Sequence, residues 1–579
     1  MPEIEFSIPA LLERKAQQQP DDLAYTFIDY EADPAGLTET LTWSEVQQQV
    51  QVVAEQLLKH GSPGDRAVIL APQGLEYIIG FFGAIQAGFI AVPLSMPAPG
   101  HYDERVSVVL SDCTPVAVLT TSAVVDDLRT YVHAQSGQRP PRMIEVDALD
   151  FDAPDFASFT EPAGGQTLTK TAYLQYTSGS TRNPRGVAIT HENVIVNLDQ
   201  MRSDYMEQFG GNVPDDLNVV SWLPFYHDMG LIVGLFIPLT WGHGAVLMSP
   251  FAFAQRPARW IQQLAQRGTG YCAAPNFAYE LCCMKVTDED MAGLDLSRVV
   301  VMMNGAERVH ASTIRRFNER FGQFGLPDTA MRPSYGLAEA TVYVVASNGG
   351  KSQTAVRFDA DRLAAGHAEV CEEGGSEQVG CGTPRSSAVR IVDTETLLEK
   401  PAGELGEIWV HGDQVSTSYW RNPELSDYTF HAQLAEPSDG TPKGPWLRTG
   451  DLGVIFNDEL YITGRIKDLL IIDGKNHYPD DIEATITPFI RGRVAAISIP
   501  EGITEKLVVL AEFKLDDAEQ IRSLTSQITA AVSQAHGVRI SDLMLVDKGS
   551  LPLTTSGKVR RSTSAERYRL GQFSRLGAP

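Results

Sequence analysis

The chain has 579 residues, too many for one hydrophobic core, and an ordinary globular composition with 43% apolar and 21% charged residues. Its formal charge of −26 weighs against a nucleic-acid partner and against adsorption to anionic lipid, although a basic cluster such as residues 558–561 can still hold a phosphate. Six cysteines without CxxC spacing fit a reducing cytoplasm better than a disulfide framework or a zinc site.

The first residues, Met-Pro-Glu-Ile-Glu, are acidic and no apolar run follows, so export is not expected. Ser44 with Gln47 reads as a capping box, and Val46, Val50, Val53 and Leu57 then recur at helical spacing up to Gly61. Residues 77–96 and 229–251 lack Lys, Arg, Asp and Glu and approach membrane-spanning length. Gly80, Gly83, Gly88 and Pro93 divide the first and Pro238, Gly242 and Gly244 the second, so each reads as a buried helix followed by a strand and no transmembrane segment is expected. Short apolar runs at 67–70, 116–120, 219–223, 245–248 and 299–303, separated by helix-length segments, predict an α/β fold with parallel sheet buried on both faces. From 389–412 and again at 454–463 the pattern tightens into hairpins, with Asn457 and Asp458 at a turn, as in a smaller β-rich subdomain.

After Gly464 a hairpin at 469–475, a helix from Pro479, strands at 495–499 and 507–513, a helix over 518–536 and a strand near 543–546 make a compact α+β unit. The expected division is a large unit over 1–464, a join at 464–467 and a small unit over 468–579. Residues 351–387 show no clear periodicity, which reads as a functional insertion or as disorder.

Residues 176–186, Tyr-Thr-Ser-Gly-Ser-Thr-Arg-Asn-Pro-Arg-Gly, follow an apolar run. Gly179 and Gly186 let backbone N–H groups turn to an anion, Thr177, Ser178, Ser180 and Thr181 can donate to phosphate oxygens, and Arg185 supplies charge. The Gly-Lys-Ser/Thr closure of a Walker loop is missing. Alone, such a loop is more often a solvated surface turn.

Further segments occur in a telling order: Trp-Leu-Pro-Phe-Tyr-His-Asp-Met-Gly at 222–230, Ser-Tyr-Gly-Leu-Ala-Glu-Ala-Thr at 334–341 after 304–308, and Trp-Leu-Arg-Thr-Gly-Asp-Leu-Gly at 446–453. Gly-Arg-Ile-Lys-Asp-Leu at 464–469 and Leu-Pro-Leu-Thr-Thr-Ser-Gly-Lys-Val-Arg-Arg at 551–561 complete the set. With these segments the chain resembles, over nearly its whole length, the adenylate-forming superfamily of acyl-CoA synthetases, nonribosomal peptide adenylation domains and luciferases, and within it the fatty acyl-AMP ligases that feed polyketide synthases.

The resemblance implies a large adenylation domain, a mobile small domain and a set of site residues. ATP or its AMP part would be held by Thr177, Ser178, Gly179, Ser180, Thr181 and Arg185, by Asn304, Gly305 and Ala306, and by Ser334, Tyr335 and Gly336. Tyr335 offers a flat face for adenine, Asp451 would accept the ribose hydroxyls, and Arg465 is the arginine on the ribose side. Glu339 would hold Mg²⁺ against the triphosphate. Lys558 would stabilise charge as a carboxylate attacks the α-phosphorus, Lys467 would lie at the hinge, and His227 would line the passage to the acceptor thiol. Arg185 stands where many members carry lysine, which keeps the charge and alters the geometry.

By the same resemblance, amino-acid-activating relatives place an aspartate for the substrate ammonium where this chain reads Phe225-Tyr226-His227, so the resemblance implies a fatty acid as substrate, for which Trp222, Phe225, Phe277, Tyr279 and Leu281 are suitable tunnel lining. An insertion at 351–382 is a mark of the fatty acyl-AMP ligases and implies transfer of the acyl group to the phosphopantetheine of an acyl carrier protein. The rival readings are an acyl-CoA synthetase and a non-catalytic sensor of ATP or acyl-adenylate.

Overall fold

A computed structural model describes residues 7–97, 103–135, 140–152, 169–177, 184–353, 355–472, 475–490, 492–501, 504–513, 518–554 and 557–576. Two sheets dominate. In the first, the strands Met331–Tyr335, Val299–Asn304, Thr269–Ala274, Leu217–Ser221, Ala245–Leu247 and Leu23–Asp29 run parallel in that order, with antiparallel Val345–Ala346 and Leu37–Thr42 at the edges. In the second, Arg142–Glu145, Ala117–Thr120, Arg66–Ile69, Ile90–Pro93 and Thr171–Thr177 are parallel and Arg185–Thr190 closes the edge as an antiparallel hairpin partner. Apolar runs too short for helices become strands here because both of their faces are covered.

One continuous core takes in residues of both sheets and the helices Ile8–Gln18, Trp43–Leu58 and Leu75–Gln86. Leu75–Gln86, from the first span-like stretch, is buried on nearly every side, and Phe81 meets Tyr173 and Phe236 edge-on at 5.7 and 5.8 Å. The strand Ile90–Pro93 follows it, and the second stretch likewise folds as helical turns over residues 228–241 before Ala245–Leu247. Among the described residues no helix is long and apolar enough to cross a membrane.

The capping box differs from the expected one. Thr42 and Glu45 form it: the Glu45 N–H donates to the Thr42 hydroxyl at 3.3 Å and the Thr42 N–H to the Glu45 carboxylate at 2.8 Å. The Ser44 hydroxyl is committed to the Pro20 carbonyl at 2.9 Å, so it is not available as a cap.

Antiparallel Ala388–Val392, Gly406–His411, Leu447–Phe456 and Glu459–Arg465 form the β-rich part, and Asn457 and Asp458 adopt φ of +50° and +66° at its turn. Beyond it a separate core gathers Leu470, Ile482, Val509, Ile528 and Leu545 from the hairpin Leu470–Ile472/Lys475–His477, the sheet Val494–Glu501/Thr504–Glu512/Ile540–Val546 and the helices Pro479–Ile486 and Ala518–His536.

Disorder is the wrong reading of residues 351–387. Ala355–Phe358 pairs antiparallel with Ser376–Val379, and the helix Ala360–Ala364 lies between them in sequence. Phe358 and Leu363 are buried with Leu405, Val454 and Tyr461 of the β-rich part and with Tyr478, which precedes the helix Pro479–Ile486. Two apolar side chains leave no periodic signal, yet their partners come from distant segments and supply the rest of a small core.

Candidate active site

The C-terminal ends of parallel strands collect the site. Val299–Asn304 ends in a fully buried Asn304, whose Nδ2 faces the Asn276 Oδ1 at 3.4 Å. A Cβ on Gly305 would stand 2.8 Å from the Ser334 carbonyl, so the two strand ends approach as closely as they do only because glycine is there. Ala306 takes φ of +63°, a costly conformation for alanine, and its carbonyl accepts the ammonium of Lys558. At the end of the neighbouring strand the Ser334 hydroxyl meets the Tyr205 hydroxyl at 2.7 Å, and Tyr335 donates to Asp451 Oδ2 at 2.8 Å. Gly336 has no room for a side chain: a Cβ would fall 1.8 Å from the Val342 carbonyl.

Asp451 is buried and faces Arg465 across the hairpin in direct register, with Arg465 Nε at 3.0 Å from Oδ1. That carboxylate, foremost, raises the Arg465 pKa. Lys467 follows in the exposed single turn Ile466–Asp468. Glu339 lies in the turn Ala338–Ala340, its Oε1 accepts from the Tyr419 hydroxyl at 2.7 Å, and burial pushes its pKa up. The Arg185 guanidinium lies over the ring of the same Tyr419, 5.8 Å from its centroid.

Lys558 comes from the small unit. Burial pulls its ammonium below the usual lysine range, while Glu307, Asp228 and Asp451 oppose that fall and Arg465 adds to it. His227 stands just ahead of the short helix Asp228–Leu231, with Nδ1 2.5 Å from Asp228 Oδ1. Burial alone would raise the Asp228 pKa, but the His227 ring and the Met229 N–H, at 2.7 Å, outweigh it and hold it below the ordinary range.

The structure therefore brings together Arg185, Glu339, Tyr335, Asp451, Arg465, Ala306, Lys558 and the His227–Asp228 pair. Thr177 ends its strand in register with Arg185, and Ser178, Gly179, Ser180 and Thr181 lie outside the described residues. Among the described residues no group of three or more His, Cys, Asp or Glu could hold a metal ion, so a cation held at Glu339 would need oxygens from phosphate and water to complete its shell, as Mg²⁺ does when bound through one or two carboxylates.

The expected acyl lining divides. Trp222 and Phe225 are buried, the first stacked on Phe253 at 3.9 Å and the second against Tyr77 at 5.7 Å. Tyr279 is a core residue, with its hydroxyl on the Met303 carbonyl at 2.6 Å and its ring against Phe317. Phe277 is 41% exposed, 6.2 Å from the Trp222 ring, because it lies in the first turn of Asn276–Lys285 where its N–H is drawn to Glu307 at 2.7 Å. Sequence reasoning missed Glu307 and Tyr419; a carboxylate directly after Gly305-Ala306 was a usable signal for the first.

Asp451→Asn should weaken binding of a non-hydrolysable ATP analogue by about 1–3 kcal/mol, because Arg465 and Tyr335 would then face a neutral amide. Calorimetric titration checks this; unchanged affinity would remove Asp451 from the nucleotide.

Residues 12–420 match the family model described as AMP-binding enzyme, and residues 467–575 match that described as Disco-interacting protein 2-like, AMP domain. The chain is 54% identical to the long-chain-fatty-acid–AMP ligase FadD26 of Mycobacterium marinum, over 100% of this chain and 99% of that protein. It is 52% identical to the 4-hydroxyphenylalkanoate adenylyltransferase of Mycobacterium tuberculosis, over 99% and 93%. Its fold matches the crystal structure of a fatty acyl-adenylate ligase from L. pneumophila in complex with acyl adenylate and pyrophosphate, with a TM-score of 0.72, 31% identity and coverage of 99% and 98%. The chain belongs to the AMP-binding enzyme family.

Proposed function

We propose that the protein is a fatty acyl-AMP ligase, which joins a medium- to long-chain fatty acid to ATP as acyl-adenylate and passes the acyl group to the phosphopantetheine thiol of an acyl carrier protein of a polyketide synthase. The observation that carries the reading is the reach of Lys558 from the small unit to the Ala306 carbonyl, among Glu307, Asp228 and Asp451. The relatives named as acyl-AMP ligases, and the neighbour bound to acyl adenylate and pyrophosphate, support the substrate class.

A fatty acid is already ionised near neutrality, so its attack needs alignment and charge neutralisation and no general base. A carboxylate oxygen forms a bond to the α-phosphorus, the bond from that phosphorus to the α,β-bridging oxygen breaks, and pyrophosphate leaves with the electron pair. Lys558 is the mobile cation for the charge on the transferring group, Arg185 faces the phosphates, and Asp451 with Arg465 holds the ribose. Glu339 would hold Mg²⁺, which neutralises triphosphate charge when bound. In the second half-reaction the thiol gives its proton to solvent, its sulfur forms a bond to the acyl carbon, and the bond from that carbon to the phosphate oxygen breaks so that AMP departs with the electron pair. His227, beside Asp228, lines that approach.

Support for a carrier protein over CoA comes from residues 355–379. The Ser376 hydroxyl donates to Asp481 at 3.0 Å, Arg308 pairs with the same carboxylate, and Asn476 reaches the Ala364 carbonyl at 3.4 Å. The insertion thus holds the small unit at Asp481 and Asn476, and in this reading it opposes the rotation that would present the adenylate to free CoA. The join at 464–467 is the hinge in this reading, between units 1–464 and 468–579.

The test supplies fatty acids of increasing length with ATP and Mg²⁺, follows pyrophosphate, and identifies products by mass with CoA or with a phosphopantetheinylated carrier protein. The expected outcome is acyl-AMP throughout, acyl-carrier with the protein acceptor, and little acyl-CoA. Substantial acyl-CoA would overturn the choice of acceptor, and no fatty-acid-dependent pyrophosphate would overturn the enzyme.

A further inference from the structure

Residues 414–420 form a strap between two parts of the site. On one side the Ser416 N–H donates to the Glu339 carbonyl at 2.9 Å, and the Thr341 hydroxyl donates to the Gln414 carbonyl at 2.8 Å. On the other, the Ala188 N–H donates to the Ser418 carbonyl at 3.0 Å, the Trp420 N–H to the Gly186 carbonyl at 2.7 Å, and the Ser416 hydroxyl to the Ala188 carbonyl at 2.8 Å. Tyr419 bridges to Val187, so its backbone is tied to the strand that leaves the phosphate loop. Its side chain is held as well: the ring packs against Phe430 at 4.9 Å and is 6% exposed.

From that fixed position Tyr419 does two things at once. Its hydroxyl donates to Glu339 Oε1 at 2.7 Å, and its ring face carries the Arg185 guanidinium. Were the guanidinium and the carboxylate to pair directly, the bidentate contact would withdraw the cation from the phosphates and the acceptor oxygens from a metal. A hydroxyl bond uses one of a carboxylate's several acceptor sites and leaves the others available, and a cation over an aromatic face keeps its N–H donors directed elsewhere.

We infer that Tyr419 is a positioning residue for the adenylation reaction: it keeps Glu339 and Arg185 apart and aims the carboxylate at the Mg²⁺ of the ATP complex and the guanidinium at the phosphates. This rests on the acyl-AMP ligase reading above. It makes Tyr419 act on metal and nucleotide separately, through different atoms.

Two variants divide those roles. Tyr419→Phe keeps the ring and loses the hydroxyl, so the Mg²⁺ concentration giving half-maximal pyrophosphate release should rise about tenfold while the KM for ATP at saturating Mg²⁺ stays within about twofold. Tyr419→Leu also removes the aromatic face, so the KM for ATP should rise as well. Binding supplies a readout apart from turnover: Mn²⁺ titrated into the complex with a non-hydrolysable ATP analogue and followed by electron paramagnetic resonance should bind Tyr419→Phe correspondingly more weakly. If the unmodified protein releases no pyrophosphate with any fatty acid, the enzymatic reading falls and this inference with it. If it does, and Tyr419→Phe shows unchanged metal constants in both assays, or if both variants merely lower kcat with metal and ATP constants intact, this inference alone is overturned. A Leu variant that unfolds leaves the decision to the Phe variant, which conserves the packing.

Discussion

Lys558→Ala is expected to slow formation of the acyl-adenylate by about 10² to 10³, the usual consequence of deleting one preorganised charge contact to a transition state. The loop does not need that side chain to keep its shape. The Thr554 N–H donates to the Lys558 carbonyl at 2.7 Å, the Lys558 N–H to the Thr554 hydroxyl at 3.1 Å, and Gly557 takes φ of +83°. Ahead of it, the buried Glu512 accepts from the N–H groups of Gly549 and Leu551 at 2.9 and 3.0 Å. Behind it, Arg561 joins Asp480 at 2.6 Å and Glu483 at 2.7 Å. Binding of an ATP analogue to the large unit should therefore survive within a few fold. Single-turnover detection of the adenylate by mass, beside calorimetric binding, separates the two quantities, and turnover equal to that of the unmodified protein would refute the role of Lys558.

Phe358→Ala should cost about 3–5 kcal/mol of stability, as removal of a fully buried phenyl ring does. Phe358 has no exposed surface, and Phe456 and Tyr461 meet its ring edge-on at 5.2 and 5.4 Å. Such a loss is a large part of the roughly 5–15 kcal/mol that holds a typical domain together. It should appear as an earlier unfolding transition in denaturant, and a loss below about 1 kcal/mol would show that the insertion is not part of the core. Because Tyr478 belongs to the same cluster, the variant should also loosen the grip on the small unit, and its yield of acyl-CoA should rise with its loss of stability. Excising residues 352–380 would expose the faces of Leu405, Val454 and Tyr461 that the insertion covers, so a point substitution is the cleaner probe.

Where apolar runs and turn residues acted locally, the sequence was legible. Ala518–His536 and the turn at Asn457 and Asp458 are where the pattern placed them. The scattered motifs were legible in another sense, since each proposes a chemistry and only the fold brings Tyr335, Asp451, Arg465 and Lys558 to one place. The insertion was opaque because Phe358 and Leu363 find their partners in segments far along the chain. Thr42 and Ser44 each precede an acceptor by three residues, and the choice between them was settled by the Pro20 carbonyl, which no local rule sees. Phe277 lies partly at the surface beside Trp222, a placement that its aromatic character alone does not distinguish from a buried one. Tyr419, among serine and threonine, belongs to no period at all.

The strap over residues 414–420 has a bearing on solubility as well as on chemistry. Arg185–Thr190 is the last strand of its sheet, and a last strand offers unpaired N–H and C=O groups to any other chain that can supply a matching ladder. Ser418 and Trp420 occupy part of that ladder, so the segment that orients Glu339 is also the one that shields the strand from self-association. Substitutions that loosen it would not only blunt the reaction; they would uncover an adhesive edge, and their damage would grow with protein concentration.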